Sequence, residues 1–209
     1  MNQASESSLL KIRKLFAREN LESSILLTTG NGDPANGVEK YSFSVQRSSA
    51  RLLGLLPGKT GEDEEINLHL DQSVHLYDIR NKKYLGEGND FKIKVKTSVP
   101  ELFGLVQGKI HDIEVEAPST LTRGETMRID FNIAGEGSAD LRSVVRVDVF
   151  DPEGDYRLYY SDNCEVINGS GTHSFINALN DLPGQWKIKL TEVISGVKKE
   201  ITVSLIAEK

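Results

Sequence analysis

Most of the chain alternates between apolar and polar residues in short runs that end at turn residues. Ile66, Leu68 and Leu70 alternate with polar neighbours, and residues 91–95 alternate with lysines on the outward side. A period of two is typical of half-buried strands, because successive side chains of a strand point to opposite faces. In the first half this pattern predicts strands at residues 24–29, 40–45, 50–56, 65–70, 74–79, 84–85, 91–95 and 102–106. Such closely spaced short strands indicate an antiparallel β-sandwich.

A second series of alternating runs follows a turn-rich break at residues 107–110. It predicts strands at residues 113–116, 126–133, 144–150, 156–160, 172–176, 186–193 and 200–206. This number of strands in about 100 residues is typical of an immunoglobulin-like sandwich, here without its cysteine pair. The sequence therefore predicts an all-β chain of two tandem antiparallel sandwiches, at residues 21–108 and 109–209.

One short helix is predicted before the first strand, within residues 1–20. Leu9, Ile12 and Phe16, with Leu15 beside them, form an apolar stripe at helical spacing. A helix with such a stripe needs a surface to pack on. That surface is either the chain's own sheet or a neighbouring domain.

The alternation also assigns the aromatic residues to faces. Tyr41 and Phe43 share one face of a strand that is expected to be half-buried, and Trp186 shares a core-facing side with its apolar neighbours. Tyr159 and Tyr160 are adjacent in a predicted strand, so one of them is expected to be exposed. A sugar-binding module presents a flat aromatic platform, and one exposed tyrosine does not make such a platform.

Composition and charge narrow the classes of partner. With 25 basic and 31 acidic residues, the net charge is −6 and the pI about 5.3, which disfavours a nucleic-acid partner. No stretch approaches the roughly 18 apolar residues of a membrane span. Cys164 is the only cysteine, so no intramolecular disulfide is possible, and a buried thiol is favoured over a nucleophile. No signal peptide is visible, which leaves the localisation open, with secretion expected if the chain belongs to a longer exported protein.

No histidine pair has the spacing of a metal site or a catalytic pair. The four histidines are His69, His75, His111 and His173, and His69 falls out of phase with the inward residues of its strand, so it is expected to face solvent. The acidic run at residues 62–65 is read as a solvated loop, because a glycosidase needs two rigidly separated carboxylates.

The acidic residues Asp151, Glu153 and Asp155 alternate around a turn glycine. An Asx-type turn is favoured there, with a weak calcium site as the alternative. The chain has no Gly-rich phosphate loop and no Gly-x-Ser-x-Gly motif. We therefore expect no enzyme activity, no catalytic residue, no cofactor-binding residue and no metal ligand.

Residues 74–86 carry a sequence motif that includes Tyr77, Asp78, Arg80 and Tyr84. It resembles a segment in the C-terminal β-sandwich regions of large bacterial proteins related to β-galactosidases and other glycoside hydrolases. The resemblance covers about residues 8–107. The turn at residues 151–154 and the strand entry at residues 180–186 are similar to immunoglobulin-like modules, which extends the resemblance loosely over residues 109–209.

The resemblance implies a noncatalytic accessory tail of a carbohydrate-active protein. Its expected partner is an upstream or neighbouring catalytic domain, with carbohydrate as a second candidate. The alternative is a stand-alone protein-interaction or surface-display module. Tyr77 and Tyr84 are expected to brace a hairpin, across which Asp78 and Arg80 are available to pair.

Overall fold

A computed structural model describes residues 24–58 and 63–207. These residues form an all-β fold with two short 3₁₀ turns, at Ser138–Asp140 and Leu158–Tyr160, and no α-helix among them. The helix predicted within residues 1–20 lies outside the described residues. Across the described ranges, no helix has the length and apolar character needed to cross a membrane. The strands are β1 (Ile25–Thr29), β2 (Val38–Ser44), β3 (Ala50–Pro57), β4 (Glu64–Asp78), β5 (Lys83–Val95), β6 (Glu101–Val106), β7 (Ile110–Glu116), β8 (Thr120–Thr122), β9 (Thr126–Gly135), β10 (Ser143–Phe150), β11 (Asp162–Val166), β12 (Ser170–Ile176), β13 (Gly184–Glu192) and β14 (Lys198–Ile206).

The first half is built on one continuous six-stranded sheet, in the order β1-β4-β6-β3-β2 with β5 also paired to β4. Strand β4 is 15 residues long, and its pairing with β5 shifts register between His69 and Val74. Before the shift β4 pairs with β1, and after it β4 pairs with β6. An irregularity of this kind bends a strand and strengthens its twist. The sequence predicted two separate strands here, at residues 65–70 and 74–79, and the structure joins them into one strand shared by two parts of the sheet.

This bent sheet encloses its own core. Ile66, Leu68 and Leu70 are buried on its inner face, which confirms the predicted alternation. They pack with Phe103 and Leu105 of β6. The sheet therefore provides two facing layers through one long bent strand rather than through two separate sheets.

The second half is a sandwich of a five-stranded sheet, β11-β10-β13-β14-β8, and a three-stranded sheet, β12-β9-β7. Its pairings are antiparallel, except that β14 pairs with β8 in parallel. Trp186 is buried in this core, as predicted, and its Nε1 donates a hydrogen bond to the Leu182 carbonyl oxygen (2.9 Å). The predicted strand at residues 156–160 is wrong. Leu158 and Tyr159 are exposed and belong to a 3₁₀ turn, which no layer formed by the described residues covers. The strand β11 that follows was not predicted.

The two halves share a hydrophobic cluster. Ala50, Tyr77 and Val106 of the first sheet belong to the same buried cluster as the core of the second half. The connection between β6 and β7 is three residues long, from Gln107 to Lys109. The outer face of β3, β4 and β6 is therefore partly covered by the second half, and the rest of that face extends outward to β2. The division into domains at residues 108 and 109 stays a prediction.

Candidate functional site

The edge strand β2 presents two aromatic side chains to solvent. Tyr41 is 48% exposed and Phe43 is 55% exposed. The sequence predicted that the face of the strand with Tyr41 and Phe43 would be buried, and that prediction is wrong. The reason is that β2 ends the sheet and pairs only with β3, and within the described residues no second layer covers its outer face. Alternation identified the shared face of the two rings, but it could not show whether that face is covered.

These two rings stand over a flat part of the sheet. Gly54 of β3 lies opposite Tyr41, and a Cβ atom built on it would lie 3.8 Å from both Phe43 Cε2 and Tyr41 Cβ. Together with Leu56 and Leu102 they line a cleft of about 380 Å³. We call these five residues, Tyr41, Phe43, Gly54, Leu56 and Leu102, the aromatic platform. Because glycine carries no side chain, a flat ligand can approach the sheet between the rings.

Polar groups surround the aromatic platform. The Tyr41 hydroxyl donates a hydrogen bond to Glu39 Oε2 (2.6 Å), and this bond and the Glu39 charge raise the pKa of Tyr41. Arg80 and Glu101 lie at the other end of the cleft, where Arg80 Nη1 donates to the Pro100 carbonyl oxygen (2.5 Å). The cleft thus combines an apolar floor with donors and acceptors at its rim, which is the usual chemistry of a small-molecule site.

The carboxyl group of Glu101 has a perturbed acidity. Partial burial raises its pKa, and the neighbouring Asp78 charge raises it further, whereas Arg80 and Lys96 act in the opposite direction. Asp78 is not free to act beside it as a second acid-base group, since its two oxygens accept hydrogen bonds from the Asn81 backbone amide (3.0 Å) and side-chain amide (2.7 Å).

The motif at residues 74–86 forms a β-hairpin. Tyr77 and Tyr84 are cross-strand partners with ring centroids 5.2 Å apart, as expected for a brace. The Tyr77 hydroxyl accepts a hydrogen bond from the Ile110 backbone amide (2.9 Å), which ties the hairpin to β7. Burial raises the pKa of Tyr77 to about 12. Asp78 and Arg80 are not paired with each other, so that expectation is wrong. The turn between the strands directs Asp78 to Asn81 and Arg80 to Pro100.

A hydroxyl, an imidazole and a carboxylate are connected across three adjacent strands. Thr28 Oγ1 lies 3.1 Å from His69 Nε2, and His69 Nδ1 lies 2.5 Å from Asp90 Oδ1. The His69 side chain is 40% exposed, in agreement with its predicted phase. The order of groups is that of a nucleophilic relay. However, Thr28 is buried, and none of these three residues lines the cleft at the aromatic platform. We therefore interpret the chain of contacts as a cross-strand network.

The turn after β10 brings Asp151, Glu153 and Asp155 together, with ligand atoms within 4.8 Å of one another. Asp151 is buried, and its Oδ1 accepts hydrogen bonds from the backbone amides of Glu153 and Asp155, both at 2.9 Å. Its other oxygen accepts a hydrogen bond from Arg157. Burial alone would raise the pKa of Asp151, but these hydrogen bonds and the Arg157 charge lower it overall. The carboxylate already has the partners of an Asx-type turn, and a cation would have to displace Arg157 from it.

The remaining candidate residues lie in surroundings that indicate a role in the fold rather than in chemistry. Cys164 is buried, and that burial raises the pKa of its thiol to about 11, which makes it a poor nucleophile. His173 Nε2 lies 2.7 Å from the Tyr160 carbonyl oxygen. Tyr160 stacks on Phe175, whereas Tyr159 is 98% exposed, so one tyrosine of the pair is exposed as predicted. Glu65 of the acidic run pairs with a lysine on the sheet surface.

The other two histidines also give no catalytic arrangement. His75 Nδ1 lies 2.9 Å from the Tyr84 hydroxyl, beside the hairpin brace, and its Nε2 lies 4.0 Å from Glu87. His111 is exposed on β7. Of the metal-ligating side chains in residues 24–58 and 63–207, only the turn after β10 brings three into one cluster.

Comparisons with known proteins give weak structural likenesses. Neither the protein-family models nor the curated protein sequences match the chain. Among solved structures it is similar to a β-glycosidase from Bacteroides vulgatus, with a TM-score of 0.34 and 10% identity over 88% of this chain and 25% of that one. It is similar to the titin domains Z1Z2, solved in complex with telethonin, with a TM-score of 0.30 and 13% identity over 88% of this chain and 82% of that one. For a Bacteroides uniformis β-glucuronidase 2 the TM-score is 0.29 with 8% identity, over 86% of this chain and 32% of that one.

The chain thus spans about a quarter to a third of the glycosidase chains that it resembles. Likenesses at these TM-scores assign no site and no activity.

Proposed function

We propose that the chain is a noncatalytic accessory module that binds carbohydrate through the aromatic platform. The observation that carries this proposal is the pair of half-exposed rings, Tyr41 and Phe43, side by side on a strand face that is backed by Gly54. Most large apolar side chains of the described sheet are buried. Two neighbouring exposed aromatic rings on one strand are therefore unusual and indicate a binding surface.

The chemistry of the platform suits a sugar ring. A pyranose has a flat face of C–H groups that packs on the face of an aromatic ring, and hydroxyl groups around its edge. Tyr41 and Phe43 are two residues apart on one strand, which places their Cα atoms about 7 Å apart. Glu39, Arg80 and Glu101 surround them with hydrogen-bonding groups that can meet the hydroxyls.

The carboxylates near the platform support the noncatalytic part of this proposal. Glycoside hydrolysis needs two carboxyl groups, an acid with a raised pKa and a free carboxylate as base or nucleophile. Glu101 has a raised pKa, but both oxygens of Asp78 accept hydrogen bonds from Asn81, and one oxygen of Glu39 accepts a hydrogen bond from the Tyr41 hydroxyl. We expect purified protein to hydrolyse no aryl glycoside or polysaccharide. The resemblance of residues 74–86 adds the proposal that the module works beside a catalytic domain.

A glycan array tests the proposal directly. We expect the purified chain to bind a subset of glycans and the Tyr41→Ala/Phe43→Ala variant to lose that binding. Tyr159→Ala is the matched control, because Tyr159 is the most exposed large hydrophobic residue in the described part of the chain and lies outside the platform. An array without any bound glycan, or binding that survives in the double variant, would contradict carbohydrate binding at the platform.

The edge position of β2 supports the alternative function of a protein-interaction module. Among the described residues β2 ends the sheet order and pairs with β3 alone, and a strand at the edge of a sheet is where a strand of another protein can add. Pairing of this kind uses the backbone rather than the rings. A protein partner bound in this way would therefore be retained by the Tyr41→Ala/Phe43→Ala variant, whereas a sugar would not.

A further inference from the structure

A second cleft, of about 500 Å³, opens on the other side of β6 from the aromatic platform. Leu102 belongs to the platform, and the adjacent Phe103 belongs to this cleft, because neighbouring residues of a strand face opposite sides. Its floor is apolar and consists of Leu85, Ile93, Val99 and Phe103. Basic residues dominate its rim: Arg80, Lys83, Lys92, Lys94 and Lys96. We call this site the basic cleft.

The basic cleft concentrates positive charge in an acidic protein. Five basic and two acidic side chains line it, which gives a local net charge of +3, whereas the whole chain carries −6. Concave sites lined by charges of one sign focus the electrostatic potential and attract the opposite charge. A lysine-rich cleft therefore favours an anion over a neutral ligand.

The two acids offset only part of this positive charge. Both oxygens of Asp78 accept hydrogen bonds from Asn81 rather than from a lysine of the rim, and Glu101 is partly buried. Lys92 reaches Glu65 at 3.7 Å, outside the cleft, and Arg80 donates to a backbone carbonyl. The ammonium groups of Lys83, Lys94 and Lys96 form no ion pair or side-chain hydrogen bond within the described part of the chain, although their backbones take part in the sheet and the following turn. These three ammonium groups are the ones available to a ligand.

The apolar floor adds a second requirement. Ile93 and Phe103 are buried at the base of the cleft, and Leu85 and Val99 are partly exposed beside them. An inorganic anion cannot bury this apolar surface, whereas an anion with an apolar body can cover it and gain binding free energy from its burial. The volume suits a small organic molecule rather than a polymer segment.

We propose that the basic cleft is a binding site for a small organic anion, whose sulfonate or carboxylate group meets Lys83, Lys94 and Lys96 and whose apolar body covers the partly exposed Leu85 and Val99. This site is independent of the carbohydrate proposal, since it lies on the opposite face of β6 and shares only the rim residues Arg80 and Glu101 with the platform.

Three probes separate the contributions to binding: 2-naphthalenesulfonate, the neutral 2-naphthalenemethanol and inorganic sulfate. We follow amide chemical shifts in nuclear magnetic resonance titrations of the full chain. We expect the sulfonate to shift amides of β5 and of residues 99–103 and to bind at least about tenfold more tightly than either other probe. Its affinity falls when the NaCl concentration rises from about 0.05 M to about 0.3 M, because exposed charges are screened.

Matched charge variants identify the site. Lys83→Gln/Lys94→Gln/Lys96→Gln is expected to weaken sulfonate binding by about tenfold or more. Lys187→Gln/Lys189→Gln/Lys198→Gln, in the second half, changes the net charge equally and is expected to leave binding unchanged. The proposal is overturned if the sulfonate does not bind, if the neutral probe binds equally well, or if both triple variants behave alike. Unchanged amide dispersion in each variant shows that it is folded.

Discussion

Gly104 of β6 lies so close to Ile194, in the turn between β13 and β14, that a Cβ atom built on the glycine would lie 2.3 Å from Ile194 Cγ2. This contact joins the outer face of the first sheet to the second half. On the neighbouring strand β3, a Cβ built on Gly54 would meet only ordinary contacts at 3.8 Å. The same sheet face is therefore tightly covered at Gly104 and open at Gly54, where the aromatic platform begins.

Gly104→Ala is expected to destabilise the protein by about 1–3 kcal/mol, because the added methyl group overpacks the contact with Ile194. Gly54→Ala is the control and should change the free energy of unfolding far less. Urea denaturation followed by tryptophan fluorescence measures both. In the Gly104→Ala/Ile194→Ala double variant the cost should be smaller than the sum of the single costs, because the truncated isoleucine makes room for the methyl group. Strictly additive costs would show that the two residues do not contact each other.

The raised pKa of the buried Tyr77 hydroxyl should lower the stability of the protein at alkaline pH. Its pKa is about 12 in the folded chain and 10.0 ordinarily, so below pH 10 the hydroxyl is protonated in both states and its contribution is fully present. Between pH 10 and 12 the unfolded state releases the proton and the folded state keeps it. The free energy of unfolding then falls by about 2 kcal/mol from this group.

Tyr77→Phe isolates this effect from the other groups that titrate at high pH. The variant should lose about 1–3 kcal/mol at neutral pH, because the buried Ile110 amide loses its acceptor, and its stability should fall less steeply between pH 10 and 12. Tyr159→Phe serves as the exposed control. Equal alkaline slopes for wild type and Tyr77→Phe would contradict the burial of this hydroxyl.

We expect the Asp151 carboxylate to stabilise the turn after β10 rather than to bind a metal ion. Asp151→Ala should cost about 2–3 kcal/mol, because two backbone amides and Arg157 lose a charged acceptor. Glu153→Ala, in the same turn, should be nearly neutral, since its side chain is exposed. Thermal melts with calcium at millimolar concentration and with chelator should coincide. A calcium-dependent rise in the melting temperature that Asp151→Ala and Glu153→Ala both abolish would identify a metal site instead.

Alternation in the sequence predicted the strands whose faces are fully covered. In β4, β9 and β13 every apolar residue of the pattern is buried, because one side of each strand faces a core. The same alternation failed to predict the exposure of Tyr41 and Phe43, because it gives the shared face of two rings and not the order of strands in the sheet. The position of β2 at an edge depends on pairings between residues far apart in the chain.

The candidate sites depend on such distant pairings as well. Gly54 becomes part of the aromatic platform only because it lies opposite Tyr41 across the β2–β3 pair. The basic cleft joins the hairpin turn, the end of β5 and the start of β6, and no local spacing of lysines indicates an enclosed floor. The turn at Asp151 was predictable, since its hydrogen bonds connect residues within six positions of one another.

Titration calorimetry with an oligosaccharide taken from a positive glycan on the array measures carbohydrate binding at the platform most directly. The wild-type chain and Tyr159→Ala should bind it with equal affinity. Tyr41→Ala and Phe43→Ala should each weaken binding by about tenfold or more, because each removes one aromatic ring that packs against the sugar. The double variant should show no measurable heat of binding. Equal affinity of the double variant and the wild type would contradict the proposed function.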